Sequence, residues 1–274
     1  GFAGKTVYLC KPNELHAWPL DYAQRAHDEV VAIGHFANSI AVATKGKPYI
    51  ITGSEPDSVS MDAIELAQPC VSKRGCVDFG YAWTYPSDDG LVLCATGRAD
   101  VVTLPIFTRE EWRALNPSSF LAARYESYYV CFYQKSNDDK GGFLFDPLNV
   151  REGVAFLDFW ANAAWSDPST NKLYVAQGNQ IKEFDADLIE LEKDWRSKEF
   201  TTPEVTMTSA VVEASKYPVS LSIYGDGIEM QSIRVYSKTA FRVNVTASSW
   251  SVEVRGQHQV DAIYLAENME EMGQ

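Results

Sequence analysis

The sequence predicts an all-β protein, with β-propeller-like repeats over residues 1–195 and a small β-sandwich over residues 196–274. Three observations predict it. Runs rich in β-branched and aromatic residues come in pairs, separated by tight-turn chemistry. The pairs recur at intervals of about 33 to 47 residues, close to the repeat length of a four-stranded propeller blade. Long amphipathic helices are missing, which disfavours α/β architectures.

The hairpins read as follows along the chain. Thr6–Cys10 pairs with Glu14–Trp18 across Lys11-Pro12-Asn13. Ser39–Thr44 pairs with Pro48–Thr52 across Lys45-Gly46-Lys47. Tyr81–Tyr85 pairs with Leu91–Ala95 across Pro86–Gly90. Ser127–Gln134 pairs with Gly142–Asp146 across Lys135–Gly141. Asn162–Ser166 leads through Asp167–Asn171 to Lys172–Ala176, then through Gln177-Gly178-Asn179 to Gln180–Asp185. Gly, Asn, Asp and Pro at these positions supply the backbone angles and local hydrogen bonds that turns need. The same spacing also permits a run of hairpins in one large sandwich. A sandwich of this length would be unusually large, so the propeller is the better reading.

Helix signals are few. Thr108 with Glu111 three residues on fits a capping box opening a short helix to Asn116, ended by Pro117. Ser60–Leu66 reads as another single turn. Helix content should fall below about 15%, well under the usual globular share. Residues Asp194–Phe200 end the blade-like region. Beyond them, Val205–Ala214, Val219–Tyr224, Ile228–Tyr236, Phe241–Val245, Trp250–Arg255 and Gln259–Leu265 read as strands. Asp226-Gly227 is a strong hairpin turn. The polar end, Met269–Gln274, is expected to fray.

Composition narrows the function. The 274 residues are 46% hydrophobic and 22% charged, ordinary for a folded protein. Fourteen Tyr, thirteen Phe and seven Trp favour half-buried pleated surfaces. The net charge of −13 argues against a protein that grips nucleic acid, which needs clustered Lys and Arg. The acidic stretch Asp185–Asp194 alternates with Leu and Ile and reads as a solvated face. No run of ~18 apolar residues spans a membrane, and no secretory leader is visible. The chain begins at Gly1 and is strand-like almost at once, as a processed terminus or an excised fragment would be.

The five cysteines, Cys10, Cys70, Cys76, Cys94 and Cys131, contain no Cys-x-x-Cys spacing. Cys10, Cys94 and Cys131 sit in apolar runs, so buried free thiols are expected. His16, His27, His35 and His258 show no metal-ligand spacing. There is no Gly-x-Ser-x-Gly elbow and no phosphate-cradling glycine loop. Asp88-Asp89 and Asp138-Asp139 belong to turns. Asp78, Asp100, Asp146 and Asp158 are the carboxylates to watch, because some propellers are glycosidases with inward carboxylates. Asp167–Asn171 superficially resembles a calcium loop but lacks its glycine and distal glutamate. The dispersed Trp18, Trp83, Trp112, Trp160, Trp165, Trp195 and Trp250 suit core and interface packing better than sugar stacking. No catalytic, cofactor or metal residues are assigned.

Several segments carry a family resemblance. Ile33-Gly34-His35-Phe36-Ala37-Asn38 through Tyr49, and Ile51-Thr52-Gly53-Ser54-Glu55-Pro56, resemble a blade ending in Thr-Gly-x-x-Pro. Cys70–Arg74 through Asp89-Gly90-Leu91-Val92 resembles the next blade, and Phe107–Trp112 the short helix that follows it. Trp195–Phe200 resembles the exit from the propeller. Trp250–Gly256 with Val260, Leu265-Ala266-Glu267 and Met269–Met272 resembles a C-terminal signature. In this order they resemble the tail nozzle (tail tubular) proteins of short-tailed bacteriophages, over most of residues 30–272. The resemblance implies a propeller followed by a platform-like β domain. It further implies a non-enzymatic virion protein, made in the bacterial host cytoplasm and assembled as a cyclic homo-oligomer. Its partners would be the phage adaptor and other tail proteins, and DNA would pass without specific binding. Members of that family extend further at the N-terminus, which implies a fragment or a shortened relative. The alternative function is a propeller glycosidase or carbohydrate-binding module, marked by carboxylates converging beside exposed aromatics.

Overall fold

A computed structural model describes every residue except 54, 57, 188–190, 269 and 271–274. Strands make up 52% of the chain and helix 7%, so the all-β expectation holds. Two units are resolved, Gly1–Asp185 and Ala186–Gln274. Lys193–Arg196 belongs to the second by pairing, since it lies antiparallel to 253–256 of Phe241–Gly256.

Among the described residues, the first unit is a succession of five small antiparallel sheets. The first holds Phe2–Ala3, Thr6–Val7 and Gln24–Arg25. The second holds Val30–Phe36, Ser39–Thr44, Tyr49–Thr52 and Ser60–Ala63. The third holds Val77–Asp78, Trp83–Pro86, Leu91–Ala95 and Arg98–Val101. The fourth holds Leu121–Tyr125, Tyr128–Gln134, Lys140–Phe145 and Ala155–Leu157. The fifth holds Ala163–Asp167, Lys172–Gln177 and Gln180–Glu183. In every sheet the strands lie side by side in chain order, the meander of a propeller blade.

Burial on both faces explains the sequence of the middle blades. In Tyr128–Gln134, Tyr129, Cys131 and Tyr133 pack toward the third sheet with Phe143 and Trp112. The alternate residues Val130 and Phe132 pack toward the fifth sheet with Leu173 and Val175. A strand covered on both sides needs apolar residues at every position, so polar alternation disappears. The second sheet behaves likewise. Ala41, Ala43 and Ile50 face Trp83 and Tyr85. Val42, Tyr49 and Ile51 face Val7 and Ala26.

The helix Arg109–Ala114 forms where the capping box places it. The Glu111 N–H donates to Thr108 Oγ1 at 3.2 Å, and the Thr108 N–H donates to Glu111 Oε2 at 2.8 Å. Below it, Asp89 accepts from Gln68 Nε2 at 3.2 Å and Arg113 Nη2 at 2.5 Å, with Arg109 Nε 3.9 Å away. The Gln68 hydrogen bond, then the Arg113 bond and both guanidinium charges, hold this carboxyl below its ordinary 3.8. A lowered native pKa contributes stability above the unfolded value, and that stability disappears as pH falls through the native one. Asp89→Asn should therefore lower stability by about 1 kcal/mol at pH 7, the scale of a surface ion pair. It should also flatten the acid limb below about pH 4. Urea midpoints at pH 7, 4 and 2.5 test this, and an unchanged acid limb contradicts it.

Three local expectations are corrected. Glu14–Trp18 is not a strand. Thr6–Val7 pairs instead with Phe2–Ala3 and Gln24–Arg25. Residues 11–17 close nested turns, with the Glu14 N–H on Lys11 O and the Ala17 N–H on Glu14 O. Within Ser60–Leu66, Ser60–Ala63 is an edge strand on Tyr49–Thr52 rather than a helical turn. Sheet pairing there overrides a weak local preference. Phe241–Val245 and Trp250–Arg255 are one continuous strand, Phe241–Gly256. The expected fraying at Met269–Gln274 falls almost wholly outside the described residues, as does the middle of the acidic stretch Asp185–Asp194.

That long strand organises the second unit. Its first half pairs with Phe200–Ala214, and its second half with Val219–Gly225 and Lys193–Arg196. Phe200–Ala214 also changes partner, to Val260–Ala266 from Ser209 onward. Register shifts after Thr201 and Met207 mark the bend. The hydrogen-bonded sheet thus folds over itself into a sandwich around Val212, Leu221, Ile223, Val245 and Trp250. Asp226-Gly227 makes the expected turn between Val219–Gly225 and Ile228–Val235, both residues at positive φ.

Candidate functional site

The candidate site is a groove in the second unit, between the sheet face of Lys193–Arg196 and the strand Val260–Ala266. Lys193–Arg196 pairs only with Phe241–Gly256, and Val260–Ala266 only with Phe200–Ala214, among the described residues. Residues of both strands line one groove, of about 530 Å³, which lies over the face that Lys193 and Trp195 share with Val252, Val254 and Gly256. Val252, Val254, Val260 and Ile263 line it with apolar surface. Trp195 and Phe200 stand beside them, 56% and 50% exposed. Lys193, Ser197, His258, Gln259 and Asp261 supply its polar groups. An apolar groove walled by exposed aromatic side chains is suited to the surface of another chain.

A second apolar surface lies on the first unit. In the fifth sheet, Ala164, Leu173 and Val175 pack toward the fourth. The opposite face carries Ala163, Trp165, Tyr174, Ala176 and Ile181, lining a shallow groove of about 370 Å³. Trp165 and Tyr174 stack at 6.0 Å with 20° between their planes, and Ile181 is 79% exposed. The outer edge of Gln180–Glu183 has no partner strand among the described residues.

The carboxylates singled out from the sequence are engaged separately. Asp78 accepts the Gly80 N–H at 2.6 Å, and Asp100 lies 3.7 Å from Arg98. Asp146 is buried, yet its oxygens accept the Leu148 N–H at 2.8 Å and Asn149 Nδ2 at 3.0 Å. Asp158 is exposed in the connection after Ala155–Leu157. No described interaction joins any two of them. In the calcium-like loop, Asp167 accepts from the Ser169 N–H, the Ser169 hydroxyl and the Thr170 hydroxyl. These bonds, the Ser169 hydroxyl foremost, lower its carboxyl pKa and occupy it within its own turn. Among the described residues no cluster of three His, Cys, Asp or Glu is set to hold a metal. No helix among them is long and apolar enough to cross a membrane.

The cysteines are free and differ in burial. Cys70, Cys94 and Cys131 are buried, while Cys10 and Cys76 are half-buried. Cys10 is therefore less covered than its apolar run suggested, because the strand there stops at Val7. Burial pushes the Cys94 thiol up to about 12.

Sequence reasoning missed the groove. Trp195 and Phe200 were visible as residues, but which residues share a face with them depends on register across the whole unit. Comparison with known proteins leaves family membership open. No family model matches, and no curated protein matches. Among solved structures, an exo-β-1,3-galactanase from Phanerochaete chrysosporium aligns at 8% identity. The alignment covers 97% of this chain and 94% of that one, at a TM-score of 0.33. The N-terminal domain of Nup159 aligns at 11% identity over 92% and 85%, with a TM-score of 0.33. Similarity at this level says nothing of what the present chain does.

Proposed function

We propose that this chain is a non-enzymatic virion structural protein that works by assembling with copies of itself, as part of the tail nozzle of a short-tailed bacteriophage. The observation that carries the reading is the exposed apolar groove in the second unit, walled by Trp195, Phe200 and the valines of two strands. Exposed contiguous apolar surface marks sites of protein association. The uncovered face of the fifth sheet is a second, different surface, and a head-to-tail ring is built from two different surfaces. The ordered sequence resemblance supplies the nozzle, and the net charge of −13 suits a conduit along which DNA slides without being held.

Sedimentation at graded concentration should show a closed oligomer that Trp195→Glu reduces to monomer. Trp195 is half exposed, so the change leaves the core intact. A monomer at every concentration, or an oligomer indifferent to the substitution, overturns the assembly site. Gel-shift titration should show no duplex binding at physiological salt up to about 10 μM, where ordinary non-specific binders begin to associate. Tight, steeply salt-dependent binding would rule out a passive conduit.

One observation favours the second reading, a carbohydrate-binding module. The stacked Trp165–Tyr174 pair is an exposed aromatic platform. Oligosaccharide-dependent quenching of tryptophan fluorescence, lost in Trp165→Ala, would favour it over the structural role.

A further inference from the structure

We propose that Cys70 and Cys76 form a paired dithiol that peroxide converts to an intrachain disulfide, making this segment an oxidation site of the protein. The strap that carries them joins the second sheet to the third. The Cys70 N–H donates to Thr44 O at 2.8 Å, and the Val71 N–H donates to Pro86 O at 3.0 Å. Ser72 Oγ donates to Phe120 O at 2.7 Å, tying the strap toward the fourth sheet. The 3₁₀ turn Lys73–Gly75 then reverses the chain.

That reversal brings the two thiols together. The Ser72 carbonyl accepts the Gly75 N–H at 3.3 Å, Cys70 Sγ at 3.7 Å and Cys76 Sγ at 3.5 Å. Two sulfurs therefore converge on one oxygen, which brings the thiols to the same side of the reversal. Their exposures differ in a useful way. Cys70 is 4% exposed, whereas Cys76 is half-buried and offers the entry point. The Cys70 contact, followed by burial, holds the Cys76 thiol well above its ordinary range. Without an oxidant the pair therefore stays reduced, and attack begins slowly.

The chemistry balances with hydrogen peroxide as oxidant. The Cys76 sulfur attacks one peroxide oxygen and the O–O bond breaks. This gives a sulfenic acid, and the other oxygen leaves as water with the thiol proton. The Cys70 sulfur then attacks the Cys76 sulfur. The S–O bond breaks, and the hydroxyl leaves as water with the Cys70 proton. Two thiols and one peroxide become one disulfide and two waters.

Trypsin provides a direct test, because Lys73 and Arg74 lie between the two cysteines. With Lys47-Pro48 uncut, Cys70 falls in the peptide 46–73, and Cys76 falls in 75–98 together with Cys94. After the native protein is treated with peroxide and the remaining thiols are alkylated, these peptides should migrate as one, two hydrogens lighter than their sum. Fragmentation should place the bond at Cys76. Free thiols in denaturant should fall from five to three. Cys94→Ala should leave the link intact and Cys76→Ser should abolish it. Separate alkylation of both residues, a Cys70–Cys94 link, or conversion of Cys76 to a sulfinic acid while Cys70 stays free would each overturn the proposal.

Discussion

Replacing Trp112 with alanine should lower the unfolding free energy by about 3–5 kcal/mol, a large share of the stability of an ordinary domain. Trp112 has no exposed surface. Its ring meets Phe120 at 5.2 Å, Phe107 at 5.7 Å and Phe143 at 6.1 Å, at steep interplanar angles. Its Nε1–H donates to the Ser87 carbonyl at 2.8 Å, across 25 residues of chain. One side chain thus fastens the 107–120 connection into the space between the third and fourth sheets. Truncation opens a cavity lined by aromatic rings that cannot readily collapse. It also strips a buried carbonyl of a hydrogen bond, a loss of about 1–3 kcal/mol where nothing replaces it. Trp112→Phe separates the two effects, since it keeps most of the ring and removes the donor. Trp18→Ala is the control, because a half-exposed indole outside both apolar surfaces should change stability by about 0.5 kcal/mol or less. Urea midpoints followed by circular dichroism decide the matter. A Trp112→Ala midpoint equal to that of Trp18→Ala would mean that the connection is not part of the core.

What was legible in the sequence was local. The hairpins across Pro86–Gly90, Lys135–Gly141 and Asp167–Asn171 were readable because the turn residues hydrogen-bond within themselves, as the Asp167 carboxylate does. The Thr108–Glu111 capping box was readable for the same reason, both partners lying within four residues. Long-range pairing was not readable. Nothing within Glu14–Trp18 announces that Thr6–Val7 prefers Gln24–Arg25. The polar break at Thr246–Ser249 looked like the end of a strand, yet Thr246 and Ala247 pair with Thr206 and Val205 and carry it through the bend. The candidate site failed to show for the same reason. A groove lined by strands far apart in the chain is defined by how those strands pair, and a sequence lists residues rather than pairings. The thiols lie between these cases. Six positions separate Cys70 from Cys76, and only the 3₁₀ reversal at Lys73–Gly75 makes them neighbours.

Gly34→Ala is expected to destabilise the protein although alanine suits a strand better than glycine. Gly34 lies in Val30–Phe36 with no unusual backbone angle, so the substitution alone would add about 0.4–1 kcal/mol by restricting the unfolded chain. Space decides otherwise. A Cβ placed there would sit 2.0 Å from Trp83 Nε1 and 2.2 Å from both Cδ1 and Cε2. The indole of Trp83 lies on Gly34 and cannot retreat. It is 3% exposed, and its ring lies 5.8 Å from that of Tyr85 in the core shared by the second and third sheets. Forcing a methyl into such packing costs about 1–3 kcal/mol, which outweighs the entropic gain. The clash involves the pyrrole edge of the indole, and this makes the account testable by a cycle. Trp83→Val removes all three of these atoms. Gly34→Ala should then cost at least about 1 kcal/mol less in the Trp83→Val background than in the native one. Additive penalties would show that the strain lies in the backbone of Val30–Phe36 rather than against Trp83, and the close packing of the second sheet on the third would have to be reconsidered.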